Sequence, residues 1–532
     1  MSVLPFWSKV IASLGVLVSS PFPSLPETVL AANSLTNPEL QVGILQRFGE
    51  EAADQVEILA PQGSQLTLSF ADSHGHTQTE QTSRVTIGIV NQALTAPEQV
   101  ERLILSSHKA FESAYASALE WQERGIETEV AQPGEWQVWA ERDRYTSAQY
   151  QQILRYAQDQ GLASTRLFQE ERSTRPLLTW TVNNYRYHRN RIQISSDAGW
   201  MRVGDYLYAG NVTIQPNAYG SYTVVNTVPL ETYLRGVVPH EIGPGAPTAA
   251  IEAQAILART YALRNLHRFA TDDYQLCANT HCQVYRGLSD TTARTDVAIE
   301  KTAGQVLTFN GDLIDAVYSS TNGGISAAFE DIWEGDPRPY LQPVVDRLDP
   351  GSLDLSQPQS FRQFLSENQG FNEVGLSRFF RWQKPLTLAT LSEQLRNNER
   401  FLGMDLPVWQ QIAGLQVLQR SASGRVQQLQ VDLQTDRGLH SFTLEKEQIR
   451  LAFPLLLSTM FALESLMEGT TLVGYTFVGG GFGHGVGMSQ YGSYGLANQG
   501  LSAPQILSFY YPGTTLASLG SLSLNLDPNR PG

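Results

Sequence analysis

The first part of the chain alternates apolar and polar residues with a period of two. Residues 41–44, 55–58 and 65–70 show this alternation and are separated by segments typical of turns. Successive side chains of a strand point to opposite faces of a sheet, so the pattern predicts strands with one buried face. We therefore interpret residues 35–95 as an N-terminal β-rich region.

Between residues 100 and 168 the pattern changes. It predicts helices over residues 107–124 and 147–160, and strands over residues 127–130 and 135–140. A β-α-β-type unit of this size resembles the SPOR domain, a small glycan-binding fold of bacterial envelopes, and the resemblance rests on element order alone. We assign residues 96–184 to this SPOR-like unit. The alternative is a structural insertion in the N-terminal region.

Residues 185–516 contain further strands and one prominent helix. Short β-type segments occur at residues 192–194, 207–208, 211–214, 221–225, 415–418 and 427–433. A helix is predicted over residues 248–269, since a proline at position 247 suits its start. One face of this helix, at helical spacing, carries Ile251, Ala255, Ala258 and Ala262. The predicted fold class is α+β, with a strand-rich core, a central Ala-rich helix, the N-terminal β-rich region and the small α/β insertion.

Both ends of the chain are predicted to lie outside the folded part. Lys9 is the only charged residue before position 27, and the apolar run at residues 10–18 is shorter than the ~20 residues that span a bilayer. Residues 29–32 offer small side chains to a signal peptidase, so residues 1–31 are interpreted as a signal peptide and export to the periplasm or cell envelope is expected. The alternative is an uncleaved anchor, which the prolines of this segment oppose. Residues 517–532 are predicted to be a disordered tail.

The charge of the chain narrows the choice of partners. The 532 residues carry a formal net charge of −15, spread along the sequence. Nucleic acids and anionic lipids attract basic surfaces, so this composition argues against both as partners.

The two cysteines of the chain lie close together, with a histidine between them. Cys277, His281 and Cys282 could supply thiolate and imidazole ligands to Zn²⁺ and leave one coordination position open. A disulfide between Cys277 and Cys282 is the rival interpretation, natural for an exported chain. The sequence alone leaves both alternatives open.

A glutamate next to a histidine is the first candidate for chemistry. His240-Glu241 could open the HExxH helix of a zinc protease, but position 244, where the second histidine is needed, is a proline. What remains is the carboxylate of Glu241, interpreted as lying on a loop between a strand-like run and the start of the Ala-rich helix. Loops held by rigid elements often carry catalytic groups. The alternative is an exposed surface glutamate.

Two polar residues interrupt the packed Ala-rich helix. Gln254 and Arg259 are expected to reach into a site or to satisfy a buried partner. For Arg259 the alternative to a binding role is a structural ion pair.

Two further segments gather polar groups beside glycines. In residues 316–324 a β-like run stops at a glycine pair, which brings hydroxyl and amide groups to a strand end. The alternative is a plain turn. Residues 479–492 are glycine-rich, yet no window spells GxGxxG, so a nucleotide site is poorly supported. The glycines are expected to permit positive φ and close backbone approach. His484 lies between two of them, and its alternative role is a hydrogen bond within the loop.

Taken together, these segments resemble the stage II sporulation protein D / amidase enhancer LytB family. The matching segments are residues 231–241, 253–262, 282–287, 318–324 and 483–492, and their order also matches. The resemblance covers roughly residues 185–516 and leaves out residues 100–168. The chain departs from the family pattern at Ile242-Gly243, where Met-Pro is frequent, and at Ala246, where Trp is common.

The resemblance implies a function in the cell wall. The best-studied branch of the family is similar to lytic transglycosylases, which cleave the MurNAc–GlcNAc bond of glycan strands stripped of stem peptides. The catalytic acid/base of that branch falls on Glu241. Some members bind zinc through residues that fall on Cys277 and His281, and others enhance an N-acetylmuramoyl-L-alanine amidase. The residues assigned to substrate binding are Gln254, Arg259, Tyr318, Ser319, Ser320, His484, Gln490 and Tyr491.

A single glutamate fits transglycosylase chemistry. A hydrolase usually needs a second carboxylate, whereas a lytic enzyme lets the 6-hydroxyl of the substrate attack, so one carboxyl acts first as acid and then as base. A second carboxylate could come from Asp315, Glu330 or Asp346 in the fold. The leading hypothesis is a peptidoglycan lytic transglycosylase. The alternatives are a non-enzymatic, glycan-binding amidase enhancer and a zinc enzyme.

Overall fold

The computed structural model describes residues 36–522, apart from residues 163, 350, 352, 400, 401, 403 and 405. The predicted signal peptide lies outside the described residues, as does the tail from residue 523 onward. The prediction of disorder is wrong for residues 517–521. They form the end of a strand and a 3-10 turn, because the strand pairs with Gln305–Phe309 and Leu519 packs into the main core.

The first half of the described chain is rich in strands. Its elements are β1 (Glu39–Phe48), β2 (Gln55–Leu59), β3 (Leu66–Ala71), β4 (Thr77–Thr82), β5 (Arg84–His108), α1 (Phe111–Glu123), β6 (Thr128–Ala131), β7 (Trp136–Ala140), α2 (Ser147–Asp159), β8 (Arg166–Val182), β9 (Tyr185–Arg189), β10 (Ile192–Ser196), β11 (Trp200–Val203), β12 (Tyr206–Ala209), β13 (Asn211–Pro216) and β14 (Tyr222–Pro229). The predicted strands in this region are confirmed. Alternate residues of β3, namely Leu66, Leu68 and Phe70, are buried, as the period of two requires.

The second half alternates helices with short sheets. Its elements are α3 (Leu230–Glu241), α4 (Thr248–Arg264), β15 (Leu276–Cys277), α5 (Ala293–Lys301), β16 (Gln305–Phe309), β17 (Asp312–Leu313), β18 (Tyr318–Ser319), α6 (Pro358–Ser366), β19 (Trp382–Thr387), α7 (Leu388–Asn398), β20 (Trp409–Arg420), β21 (Val426–Thr435), β22 (Gly438–Glu445), α8 (Glu447–Ala452), β23 (Phe461–Glu468), β24 (Thr471–Gly479), β25 (Met488–Ser489), α9 (Gln490–Asn498), α10 (Ala503–Tyr510) and β26 (Thr515–Ser518). None of the helices in the described residues has the length and apolar character needed to cross a membrane.

Two large sheets share the main core. One has the strand order β15-β1-β14-β13-β10-β3-β4, and the other follows β12-β11-β2-β5-β7-β6 with β8 and β9 attached beside β5. Val42 and Leu68 of the first sheet lie in the same buried cluster as Ile58 and Ile87 of the second. Most strand pairs in the molecule are antiparallel, and the predicted α+β class is confirmed.

The unit predicted over residues 96–184 has the element order β5-α1-β6-β7-α2-β8. Its strands lie in the antiparallel order β8-β5-β7-β6, which is the arrangement of a split βαβ unit. The proposed boundary at residue 95 falls inside the continuous strand β5, so the unit grows out of the second sheet as an insertion. The first helix begins at Phe111, because Ser107 and His108 still pair with β7. Glycan binding by this unit stays a prediction.

The Ala-rich helix α4 lies between two cores. Every residue from Ala250 to Leu263 is buried, so the helix has no solvent-facing stripe. Its predicted face, represented by Ile251 and Ala258, belongs to the main core, while Ile256 and Leu257 pack into a second cluster with α10. The helix ends at Arg264, short of the predicted residue 269.

Residues 382–479 build a separate sheet pair. One sheet has the order β19-β24-β23 and the other has the order β20-β21-β22. Leu429, Phe461 and Phe477 represent the buried cluster between them. This region supplies α8, which reaches the cavity described below.

Candidate active site

Glu241 is the last residue of helix α3. The prediction that it lies on a loop after a strand-like run is therefore wrong. Residues 230–238 form a helix because Leu230, Tyr233 and Val237 are buried at helical spacing, which outweighs the preference of Val237 for strands. The helix ends here because Gly243 adopts a φ of 78°, a conformation that favours glycine.

The carboxyl group of Glu241 is half-buried and hydrogen-bonded. Its Oε1 accepts a hydrogen bond of 2.7 Å from the backbone N–H of Val284. Burial raises the pKa of Glu241 to about 7, while hydrogen bonds from Val284, Tyr318 and Gln490 act in the opposite direction. Glu241 is therefore able to give and take a proton near neutral pH.

A chain of side chains supports Glu241 from one side. The Tyr318 hydroxyl, a hydrogen-bond partner of Glu241, accepts a hydrogen bond of 3.0 Å from Gln283. Gln283 in turn accepts one of 3.2 Å from the buried hydroxyl of Tyr233 on α3. Burial and then the charge of Glu241 raise the pKa of Tyr318 well above its ordinary value, so its hydroxyl stays a donor.

The loop that carries Tyr318 is held by a glutamate that the sequence did not single out. The buried carboxylate of Glu373 accepts hydrogen bonds from the backbone N–H groups of Asn322 (2.7 Å) and Gly324 (3.1 Å) and from the Thr321 hydroxyl (2.8 Å). It also accepts one from Ser489 on β25, the strand that pairs with β18. Glu373 lies in a stretch without a recognisable motif, and only the folded structure reveals its role.

The glycine-rich segment behaves as predicted. Gly483 and Gly485 have φ values of 110° and 78°, and a Cβ on Gly485 would lie 2.2 Å from the guanidinium of Arg425. The ring of His484 accepts a hydrogen bond of 3.0 Å from the backbone N–H of Val486, so the alternative of a hydrogen bond within the loop holds. Burial lowers the pKa of His484 to about 3, and the ring is neutral.

A cavity of about 550 Å³ opens beside Glu241. It brings together seven of the residues singled out from the sequence: Glu241, His281, Cys282, Tyr318, Ser319, Ser320 and His484. Parts of the chain without a predicted role complete its walls, among them Lys109, Phe111, Glu112, Trp136, Trp333, Glu447, Arg450 and Thr459. The inserted unit therefore contributes residues directly to the candidate site. No local sequence pattern predicts this contribution.

Gln254, Gln490 and Tyr491 do not line this cavity. Gln490 lies behind Glu241, where its Nε2 donates a hydrogen bond of 2.8 Å to the Glu241 carbonyl oxygen and approaches Oε1 of Gln254 at 3.5 Å. The backbone N–H of Tyr491 donates to the carbonyl of Ser320. These residues are placed to support the site and not to touch a ligand in the cavity.

Arg259 requires a correction. Its fully buried guanidinium donates hydrogen bonds of 2.8 and 2.7 Å to the carboxylate of Glu231 and one of 3.1 Å to the carbonyl of Gln305. The residue is thus the structural ion pair given as the alternative, and it is not placed to bind substrate.

The two cysteines form a disulfide, Cys277–Cys282. Cys277 therefore offers no thiolate, and the described residues contain no group of three or more metal-ligating side chains. The predicted zinc ligands Cys277 and His281 do not fit a metal site in this arrangement. The disulfide closes the loop before Val284, whose N–H contacts Glu241.

The carboxylates proposed as partners of Glu241 lie elsewhere. Asp315 pairs with Arg264 and Arg338, and Asp346 is buried against Asn372 and Tyr510. The third candidate, Glu330, also lies outside the cavity lining. Instead, Glu112 and Glu447 face the cavity.

The sequence relations agree with this architecture. Residues 218–309, which include Glu241 and the disulfide loop, match the family model of the stage II sporulation protein SpoIID. Residues 327–487 match a family model described as a domain of unknown function (DUF8618). These matches confirm the resemblance of the chain to the SpoIID/LytB family, which the family model shows over residues 218–309.

Individual relatives cover about half of the chain or somewhat more. It is 30% identical over 302 residues to an amidase enhancer of Bacillus subtilis (strain 168), which covers 54% of this chain and 40% of that protein. It is 26% identical over 314 residues to stage II sporulation protein D of the same organism, covering 55% of this chain and 76% of the relative. An uncharacterized protein of Brachyspira hyodysenteriae is 24% identical over 349 residues, covering 65% and 82% respectively. The chain thus spans well under two thirds of the amidase enhancer.

Proposed function

We propose that this protein is an exported peptidoglycan lytic transglycosylase, with Glu241 as its acid and base. The observation that carries the proposal is a half-buried carboxyl with a pKa raised to about 7, facing a cavity of about 550 Å³. General acid catalysis works best when the pKa of the acid lies near the working pH. The similarity of the chain to the SpoIID family model, to an amidase enhancer and to stage II sporulation protein D supports a role in the cell wall.

The reaction needs one carboxyl group and no water. The protonated Glu241 gives its proton to the oxygen of the MurNAc–GlcNAc bond, and the bond to C1 of MurNAc breaks with the electron pair going to that oxygen. The Glu241 carboxylate then accepts the proton of the 6-hydroxyl of the same MurNAc, while O6 bonds to C1 and closes a 1,6-anhydro ring. Hydrogen bonds from Val284 and Tyr318 stabilise the carboxylate between the two steps.

The other carboxyls of the cavity are poorly suited to activate water. Glu112 forms an ion pair with Arg268, and this guanidinium balances the negative charge of the Glu112 carboxylate. Burial raises the pKa of Glu447 to about 8, so this group is mainly protonated near neutral pH. A hydrolase would need an ionised second carboxylate at a set distance across the sugar. The ion pair of Glu112 and the raised pKa of Glu447 therefore favour attack by the substrate's own hydroxyl over attack by water.

A second candidate function rests on a relative. The match to a protein named amidase enhancer favours a role in which the cavity binds glycan and stimulates an N-acetylmuramoyl-L-alanine amidase. In that case the glycan would be held but left uncut.

Product analysis separates the two functions. Purified glycan strands, stripped of peptides by an amidase, are incubated with wild type or with Glu241→Gln, and the products are analysed by mass spectrometry. Anhydro ends formed by wild type alone support the transglycosylase. Intact strands with both proteins, together with measurable glycan binding, would leave the amidase-enhancing role.

A further inference from the structure

Two basic residues of the cavity lining form no ion pair among the described residues. Lys109 lies between β5 and α1 of the inserted unit, and Arg450 lies in α8. Within the part of the chain that the structure describes, neither forms an ion pair with a carboxylate, although other basic residues around the cavity do. Burial and then the positive charge of Arg450 lower the pKa of Lys109, while the charge of Glu447 acts in the opposite direction.

The acidic residues nearby either pair with other basic residues or have a raised pKa. Glu112 pairs with Arg268, and Glu334 pairs with Lys446 at 3.0 Å. Glu447 and Glu241 are the other carboxyls of the cavity, and burial raises their pKa values to about 8 and about 7. Among the described residues, none of these carboxyls lies within ion-pair distance of Lys109 or Arg450.

The same wall holds polar atoms that lack a partner. Arg450 Nε, Thr459 Oγ1 and Glu447 Oε2 are all buried and accept or donate no hydrogen bond, and all three residues line this cavity. A buried polar group without a partner costs about 1–3 kcal/mol, so such a group calls for an explanation. Two of these groups, Arg450 Nε and the Thr459 hydroxyl, are donors, and together with the ammonium group of Lys109 they make this part of the wall suited to an anion.

We propose that Lys109, Arg450 and Thr459 form a carboxylate-binding subsite for the lactyl group of a muramic acid residue that carries no stem peptide. This cationic subsite rests on the proposed function, because it lies in the same cavity as Glu241. It assigns a role in selecting the substrate to the inserted unit and to α8, which lie outside the matched segment 218–309.

The chemistry of the glycan singles out this ligand. The sugars of the strand are otherwise neutral, and the lactyl carboxylate is free only after the amide bond to the stem peptide has been cut. Guanidinium and ammonium groups bind a carboxylate through charge-assisted hydrogen bonds, and the hydroxyl of Thr459 can add a further donor. A strand that keeps its peptides has an amide at this position, which leaves both cations unpaired.

Binding measurements test the subsite without cleavage. In a Glu241→Gln background, the dissociation constant is measured for peptide-free strands, for the same strands with their carboxylates converted to methylamides, and for peptide-bearing strands. We expect peptide-free strands to bind at least about tenfold more tightly than the other two, the size of one charge-assisted hydrogen bond. Lys109→Met and Arg450→Met should each abolish most of this preference. Arg437→Met, which removes an exposed charge from the same region outside the cavity, should keep it.

Several results would overturn the subsite. Equal binding of peptide-free and methylamidated strands would do so even if the variants failed to fold, because that comparison uses only the parent protein. Tight binding of peptide-bearing strands that depends on Lys109 and Arg450 would assign the cations to a carboxylate of the stem peptide instead. Cleavage of strands without any dependence on the lactyl carboxylate would leave the proposed function standing and remove the subsite. Carboxylate-dependent binding without cleavage would support the subsite and remove the transglycosylase.

Discussion

Two parts of the cavity wall differ in how completely their polar groups are paired. Around Glu241 the carboxyl group, Tyr318 and Gln283 form a continuous set of hydrogen bonds to side chains and to the backbone of Val284. In the cationic subsite, within the described part of the chain, Lys109 and Arg450 form no ion pair and the Thr459 hydroxyl has no hydrogen bond. Both walls face the same space.

The difference separates chemistry from recognition. A catalytic group must be held in position before substrate arrives, so its hydrogen bonds are made within the protein. A side chain that recognises a ligand contributes most to the binding free energy when the ligand supplies a hydrogen-bond partner that the protein lacks, because a buried polar group without a partner destabilises the free protein. We therefore expect substitutions near Glu241 to change the cleavage rate and substitutions in the cationic subsite to change which glycan strands bind.

The largest effect is expected for Glu241→Gln. Loss of the proton donor should lower the cleavage rate by about 10²–10⁴-fold, while the amide oxygen can still accept the hydrogen bond of Val284. Thermal unfolding should be nearly unchanged. Glu300→Gln on the exposed surface of α5 is the matched control and should cleave normally. Normal cleavage by Glu241→Gln would show that Glu241 is not the catalytic acid and base.

Glu373→Ala should destabilise the protein by at least about 3 kcal/mol, because several buried donors lose their acceptor at once. Urea unfolding measures this change. The loss should also slow cleavage, since Glu373 holds the loop of Tyr318. Glu367→Ala, on an exposed neighbouring position, should leave both properties intact. An unchanged midpoint for Glu373→Ala would show that the loop is held in another way.

Replacing both cysteines by serine should cost about 2 kcal/mol of stability. The disulfide loop precedes Val284, so a modest fall in cleavage rate should accompany the loss. Reduction of the wild-type protein should reproduce both effects. Added Zn²⁺ should restore neither in the double variant, and restoration by zinc would favour the metal site instead.

Tyr318→Phe should shift the pH dependence of cleavage. The hydroxyl of Tyr318 lowers the pKa of Glu241, so its removal should raise that pKa and keep the acid protonated to higher pH. The wild-type rate should fall as pH rises through about 7, and the fall should occur at higher pH in the variant. Rates measured across neutral pH give the comparison. A shift to lower pH would contradict the assigned hydrogen bond.

Local patterns predicted much of the fold. The strands with alternating polarity and the buried face of α4 follow from the spacing of apolar residues alone. The prediction of a strand-like run before Glu241 is wrong. Adjacent valines favour a strand locally, but the burial of Leu230, Tyr233 and Val237 in the folded protein stabilises helix α3.

The site was predictable only where motifs exist. Glu241, Tyr318 and His484 lie in recognisable segments and meet at one cavity. Lys109 and Arg450 are far apart in the sequence and belong to no recognisable motif. Their proximity at the cavity depends on how the insertion packs against the core. Phe111 and Trp136 of the insertion share a buried cluster with Phe269 of the core. Contacts of this kind leave no mark on a short stretch of sequence.

In the proposed reaction, the 6-hydroxyl of the substrate attacks C1 of MurNAc, with Glu241 as the only acid and base. Cleavage of peptide-free strands in water enriched in heavy oxygen, followed by mass spectrometry of the new ends, tests this directly. We expect anhydro ends, lighter than reducing ends by one water and free of heavy oxygen, formed by wild type and lost in Glu241→Gln. New reducing ends that carry heavy oxygen would show that water attacks and would contradict it.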